Sequence, residues 1–185
     1  MSKGIIARWQ DWQGKGIEHL VLDEGSDCIT AEAVVFGTTN GEVFAARYRI
    51  LCDTCWRARK IVIAQTGEAS TIELESDGAG KWIDESATPL PRLAGAIDID
   101  ISITPFTNTL PIRRLGLQTG QSEDIVVVYV QLPGLSVTTD RQRYTCLELN
   151  RRYRYQSMDS DFTRDIEVDD HGLVVTYPGL FRRML

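Results

Sequence analysis

The sequence contains no apolar run of about 18 or more residues, so no segment of it can span a bilayer as a helix. Its first ten residues also lack the apolar core of a secretory signal. Both absences predict a cytoplasmic protein without an integral membrane segment. Nucleic-acid binding is not expected either, because the formal net charge is -6 and non-specific binding of that kind requires a basic surface.

Histidine and cysteine are scarce, which restricts metal and nucleophile chemistry. Only His19 and His171 could act as the base of a Ser/His/Asp or Cys/His unit, and a site built on several histidines is excluded by count. Cys52 and Cys55 form a C-x-x-C, but the second pair that a zinc site needs is missing. Phosphate-loop, dinucleotide-binding and nucleophile-elbow motifs are absent as well. We therefore expect reduced, structural cysteines, no metal and no cofactor.

Alternation of apolar and polar residues is the dominant pattern, and it is typical of β-strands. The length of 185 residues suits a single domain over 1–185. Asn40-Gly41 is the strongest hairpin signal, because both turn positions need positive φ. The fold class is therefore predicted as all-β. The predicted strands are 4–10, 16–23, 28–37, 42–52, 56–65, 69–76, 79–84, 94–102, 123–131, 136–149, 151–158, 162–168 and 173–177.

One segment, 104–116, has the features of a helix. Thr104 can cap it, and Gly116 can end it. Pro111 lacks an N–H and clashes one turn back. It therefore predicts either a kink, or a short turn followed by a second helix start that Thr109 caps. The expected helix is about 104–115.

A run of this many strands must roll up to bury its apolar faces and to limit its open edges. The helix would fill the space inside the rolled, mostly antiparallel sheet. At least one edge is expected to stay open, and self-pairing across a two-fold axis would cover it. This predicts a homo-oligomer, most simply a dimer.

Asp98 and Asp100 lie two residues apart on a predicted strand, so their side chains share a face, with Cα atoms about 6–7 Å apart. Such a pair could serve acid/base chemistry. Arg57 and Arg59 show the same spacing, and two facing ladders of opposite charge would explain both sets as ion pairs. Both readings remain open.

Several stretches resemble the bacterial family called putative glycolipid-binding, formerly a family of unknown function. The resemblance implies a spiral β-roll, in which a long sheet wraps around a single helix. It also implies a distant likeness to bacterial lipoprotein-localisation factors, which carry acyl chains in a half-open β structure. Cys55 is not part of the family pattern. The matching segments are CDTCWRAR (52–59), DGAGKW (77–82), DIDISITPFTNTLPIRRL (98–115), QRYT (142–145) and GLVVTYPGLFRR (172–183).

The leading hypothesis is a cytoplasmic, non-catalytic carrier or sensor for a glycolipid or similar amphiphile, with apolar walls and a few convergent polar groups. One alternative is an enzyme acting on a lipid or sugar derivative, with Asp98 or Asp100 as acid/base and arginine support. Another is a purely structural charge cluster in a protein that functions through a protein–protein surface. The candidate ligand-binding residues are Trp56, Arg57, Arg59, Asp98, Asp100, Phe106, Asn108, Arg113, Arg114 and Tyr144.

Overall fold

The computed structural model describes residues 4–39, 41–67 and 70–184, and within them fourteen strands form one sheet. A 3-10 helix at Pro91–Leu93 and another at Phe106–Asn108 accompany the α-helix α1, Thr109–Leu115. The strands are β1 Ile5–Asp11, β2 Ile17–Glu24, β3 Ile29–Thr39, β4 Glu42–Cys52, β5 Ala58–Gln65, β6 Thr71–Ser76, β7 Trp82–Asp84, β8 Asp98–Ile101, β9 Ser122–Gln131, β10 Ser136–Glu148, β11 Arg152–Ser157, β12 Thr163–Val168, β13 Val174–Tyr177 and β14 Phe181–Arg183.

The all-β prediction is confirmed, and thirteen of the strands fall at predicted positions. β14 was not predicted, because three residues after a turn carry too little alternation to read. Asn40 of the predicted turn lies outside the described residues, as does Ala69 at the start of the predicted strand 69–76. β3 and β4 nevertheless pair up to Thr39 and Glu42, as a two-residue hairpin turn requires.

The sheet is a meander that folds back onto itself. Its order is β7-β6-β5-β4-β3-β2-β1-β14-β13-β12-β11-β10-β9-β8, so the first and last strands of the chain pair in the middle. β8 and β9 run parallel, and the other strand pairs are antiparallel. The chain passes from the edge strand β7 directly to the opposite edge strand β8 through the segment 85–97. No described helix is both long and apolar enough to cross a membrane.

The edge strand β8 lies inside the roll, and both it and the part of β9 that pairs with it, 127–130, have buried residues on both faces. Ile99 and Val128 belong to a core shared with β1–β7, whereas Val127 on the opposite face belongs to a second core under β10–β13. This two-sided burial is typical of parallel strands. The helical segment also contacts both cores, through Leu110 on one side and Ile112 on the other. The sheet therefore wraps around this segment.

The predicted helix 104–115 forms as two pieces. The 3-10 helix begins after Thr104, whose hydroxyl accepts the N–H of Phe106 at 3.0 Å, and α1 follows from Thr109. Pro111 lies in the first turn of α1, where its missing N–H would have no partner within the helix anyway. A second start forms, but its N-cap is Asn108 and not the predicted Thr109, which is the first residue of α1. Thr109 cannot cap the helix because its hydroxyl donates to the carbonyl oxygen of Gly172 at 2.9 Å. Gly116 ends the helix at φ 58°, as predicted.

Candidate functional site

A pocket of about 490 Å³ lies at one end of the roll, where the turns after β1, β3 and β13 meet. We call it the end pocket. Its wall includes polar groups beside aromatic and aliphatic ones. The lining residues are Trp9, Asp11, Trp12, Gln13, Lys15, Gly16, Ile17, Glu18, Val35, Phe36, Gly37, Thr38, Thr39, Gly41, Phe44, Ser102, Ile103, Gly179, Leu180 and Phe181.

Aromatic residues line the end pocket at different depths. Trp9 is buried, and its indole N–H donates to the carbonyl oxygen of Val174 at 2.7 Å. The guanidinium of Arg183 lies over the same ring, 4.8 Å from its centroid. Trp12 and Phe36 are 45% and 50% exposed, respectively. The pocket therefore combines a rigidly held indole with rings that remain open to solvent.

Glu18 is the buried acidic residue of this pocket. In β2 it alternates onto the same face as Leu20 and Leu22, which point into the core, and only 3% of it is exposed. The Tyr48 hydroxyl donates to Oε1 of Glu18 at 2.5 Å, and the Thr104 hydroxyl donates to the same oxygen at 2.8 Å. Strands β2 and β4 and the start of the helical segment thus meet at one carboxyl oxygen.

The second carboxyl oxygen, Oε2 of Glu18, is buried and has no hydrogen-bond partner among the described residues. Burial raises the pKa of Glu18 to about 7, although the bonds from Tyr48 and Thr104 act to lower it. Burial and the neighbouring carboxylate raise the pKa of Tyr48 well above its ordinary value, so its hydroxyl stays protonated and can donate. The carboxyl therefore changes charge near neutral pH while it keeps one oxygen free.

Asp98 lies elsewhere and forms a bidentate ion pair with Arg114. Nε of Arg114 donates to Oδ1 at 2.9 Å, and Nη2 donates to Oδ2 at 2.6 Å. Two parallel, charge-assisted hydrogen bonds of this kind are stronger than bonds between neutral groups. The Asp98 side chain is 0% exposed and that of Arg114 is 15% exposed. The expected charge ladder with Arg57 and Arg59 does not form among the described residues, because Arg114 occupies both carboxylate oxygens.

Asp100 has neutral partners instead of arginines. It accepts hydrogen bonds from the Thr107 hydroxyl at 3.1 Å and from the Gln142 amide at 2.7 Å. Burial raises the pKa of Asp100, and these two bonds act to lower it. The bonds connect the inner strand β8 to the 3-10 helix and to β10.

Three further predicted residues lie in the interior. Phe106 is fully buried in the first core. The Tyr144 hydroxyl donates to Oδ1 of Asn108 at 2.9 Å, and the Asn108 amide donates to the carbonyl oxygen of Pro105 at 3.1 Å. These contacts fix the start of α1 against β10.

Arg113 and Trp56 lie at the other end of the roll. The Arg113 guanidinium lies 4.6 Å from the Trp56 ring centroid and pairs with Glu24 at 3.1 Å. Glu24 ends β2 whereas Glu18 is near its start, so the two ends are about 20 Å apart along the strand. Arg59 donates to the carbonyl oxygen of Ser76 at 3.1 Å, and Arg57 is exposed.

None of the ten predicted residues lines the end pocket, so their role in ligand binding stays a prediction. Sequence reasoning missed Glu18, Tyr48 and Thr104. A signal for Glu18 was present, because it shares its strand face with Leu20 and Leu22 and so places a charge on an apolar face. No comparable signal connects Tyr48 and Thr104 with it.

Comparison with known proteins gives two matches. A family model described as "Putative glycolipid-binding" matches residues 6–183. The crystal structure of a DUF1089 family protein from Pseudomonas aeruginosa is similar, with a TM-score of 0.85 and 36% sequence identity, covering 92% of each chain. Among curated proteins, none matches the chain.

Proposed function

Because the chain belongs to the family described as "Putative glycolipid-binding", we propose that it is a carrier or sensor that binds a glycolipid or similar amphiphile in the end pocket. We further propose that binding is non-catalytic and takes place in the cytoplasm. The pocket, rather than the predicted charge cluster, is the proposed site.

The observation that carries this proposal is the mixed wall of the end pocket. Its volume of about 490 Å³ is within the range typical of small-molecule sites. Trp9, Trp12 and Phe36 offer aromatic surfaces against which a sugar ring or an alkyl chain can pack. Asp11, Lys15 and Glu18 supply polar groups for a headgroup. An amphiphile uses both kinds of surface, whereas a purely polar or purely apolar ligand would leave one kind unused.

Isothermal titration calorimetry with octyl glucoside, kept below its micelle concentration, tests this proposal. Thr39→Trp places a large ring in the pocket wall, so we expect binding to be lost. Thr138→Trp is the matched control, because Thr138 is exposed on β10 and does not line the pocket. Equal heats for the two variants would contradict a site in the end pocket.

Catalysis is the second candidate function, and the observation that favours it is Glu18. A buried carboxyl whose pKa is raised to about 7 and that lines a pocket suits general acid/base work. Such an enzyme would act on a lipid or sugar derivative and would use Glu18 in place of Asp98 or Asp100. Turnover of nitrophenyl glycosides or esters that disappears in Glu18→Gln would support this candidate, and the absence of turnover across both classes would oppose it.

A further inference from the structure

The Glu18 carboxyl has an unequal set of partners. Oε1 accepts hydrogen bonds from two hydroxyls, those of Tyr48 and Thr104, which also lie 3.2 Å from each other. Oε2 has none among the described residues. A buried carboxylate oxygen without a donor is costly, because no water replaces the lost hydrogen bonds. The unused acceptor belongs to a residue that lines the end pocket.

The surroundings of Glu18 contain few other charges. Tyr48 on β4 contacts it directly. Asp11 at the end of β1 and Lys15 in the following turn line the same pocket. No ionisable side chain is present among the described pocket-lining residues of β3, β14 and 102–103. A change in the charge of Glu18 is therefore a large local change in the field of the pocket.

We propose that Glu18 Oε2 accepts a hydrogen bond from a ligand hydroxyl, so that the end pocket selects a neutral, hydroxyl-bearing headgroup, such as a sugar, over an anionic one. This inference rests on the binding function proposed above. A hydroxyl satisfies the free oxygen with a charge-assisted bond. An anionic headgroup would instead meet a like charge in a partly dry site.

The proposal predicts a pH dependence with a definite sign. The hydroxyl binds the ionised carboxyl best, and the pKa of Glu18 in the free protein is about 7. The Glu18 carboxyl is therefore ionised in only a minor fraction of the molecules at pH 6 and in most of them at pH 8. If only the ionised form binds, the affinity for octyl glucoside rises about tenfold between these two pH values.

Calorimetric titrations at pH 6 and pH 8 test this with octyl glucoside and with octyl sulfate, which has the same chain and a permanent negative charge. Wild-type protein should bind the glucoside more tightly at pH 8 and should bind the sulfate more weakly than the glucoside. Glu18→Gln should lose the pH dependence for the glucoside. Glu123→Gln, an exposed position on β9, should keep it.

Tyr48→Phe provides a second variant in case Glu18→Gln fails to fold. It removes one of the two bonds that lower the pKa of Glu18, so the midpoint of the pH dependence should move above 7. A change of affinity without a shift of the midpoint would contradict the role of Glu18.

The outcomes also separate this inference from the proposed function. Glucoside binding that is independent of pH and unchanged in Glu18→Gln would overturn the inference and leave the carrier in place. Tighter binding of octyl sulfate than of octyl glucoside would overturn the inference in the same way. If neither probe binds at either pH, the result contradicts both the proposed carrier function and the role of Glu18 Oε2.

Discussion

Glu18 lowers the stability of the fold when it ionises. Its pKa rises from 4.5 to about 7 on folding, mainly because of burial. The folded state therefore holds a proton that the unfolded state releases between these values, so stability is fully present below about pH 4.5 and falls as the pH rises towards 7. A shift of this size corresponds to about 3 kcal/mol.

Glu18→Gln should remove this dependence, because the amide does not ionise. Wild type loses about 3 kcal/mol of unfolding free energy through Glu18 between pH 4.5 and pH 8, and the variant does not. The stability of the variant relative to wild type should therefore rise by about 3 kcal/mol over this pH range. Urea unfolding at several pH values measures the difference, with the exposed Glu123→Gln as the control. If the difference in unfolding free energy between wild type and variant does not change with pH, the pKa of Glu18 is not raised by burial.

The buried pair of Asp98 and Arg114 should matter more than a surface pair. Arg114→Ala leaves the fully buried Asp98 carboxylate without its partner, which typically costs about 3–5 kcal/mol. Arg154→Ala breaks an exposed pair with Asp165, which is worth less than about 1 kcal/mol. Thermal and urea unfolding of both variants compare the two costs.

The same pair allows a rescue experiment. Adding Asp98→Asn to Arg114→Ala removes the stranded charge, so the double variant should recover part of the lost stability. If Arg114→Ala unfolds like the Arg154→Ala variant, the pair does not anchor α1 to β8.

At the scale of elements, the segment 88–96 covers the edge of β7. The N–H of Leu90 donates to the carbonyl oxygen of Trp82 at 2.8 Å, and the Trp82 indole donates to that of Ala96 at 2.7 Å. The N–H of Gly95 donates to the carbonyl oxygen of Gly80 at 2.9 Å. The two backbones come so close that a Cβ on Gly80 would lie 2.8 Å from the Cα of Gly95.

Gly80 and Gly95 therefore form a matched pair of tests. Their φ values are 92° and 88°, so alanine is strained at either position, but only at Gly80 does the new Cβ meet backbone. We expect Gly80→Ala to cost about 1–3 kcal/mol more than Gly95→Ala in unfolding free energy, because the segment must shift. Equal losses would contradict the close contact between the backbones of Gly80 and Gly95.

The elements themselves were largely predictable from sequence, since most strands have one buried face and so alternate. Gly116 likewise predicted where α1 ends, and Pro111 predicted an interruption of the helix 104–115, because the backbone constraints of both residues are local. β14 escaped prediction because it has only three residues. The two-sided burial of β8 also has no local signature, since Asp98 and Asp100 occupy the face that alternation assigns to solvent.

For the whole molecule, the site could not be predicted because it depends on how the sheet rolls. Glu18 and Thr104 are 86 residues apart in the sequence and Glu18 and Tyr48 are 30 apart. Their contact exists only once the sheet has wrapped around the helical segment. The predicted charge cluster was likewise divided by the roll, since Arg113 contacts Glu24 and Trp56 whereas Arg114 binds Asp98.

The homodimer was expected because a rolled sheet should leave an open edge. The segment 88–96 covers β7, and the Thr107 hydroxyl accepts the N–H of Ile101 on β8 at 3.3 Å, so that argument no longer holds.

The dimer remains a prediction, and the outer face of β1–β3 offers it a surface through the exposed Ile6, Val21 and Val34. We expect sedimentation velocity to give a dimeric mass for wild type and a monomeric one for Val34→Asp. A monomeric wild-type protein at micromolar concentration would contradict the dimer.

Native mass spectrometry of protein purified from a bacterial host, followed by lipid extraction, tests the central claim most directly. We predict that wild type and Thr138→Trp carry an added mass that extraction identifies as a neutral sugar-bearing amphiphile, and that Thr39→Trp, with its end pocket blocked, is empty. An added mass that persists in Thr39→Trp, or a wild-type protein that is empty across repeated preparations, would contradict ligand binding in the end pocket.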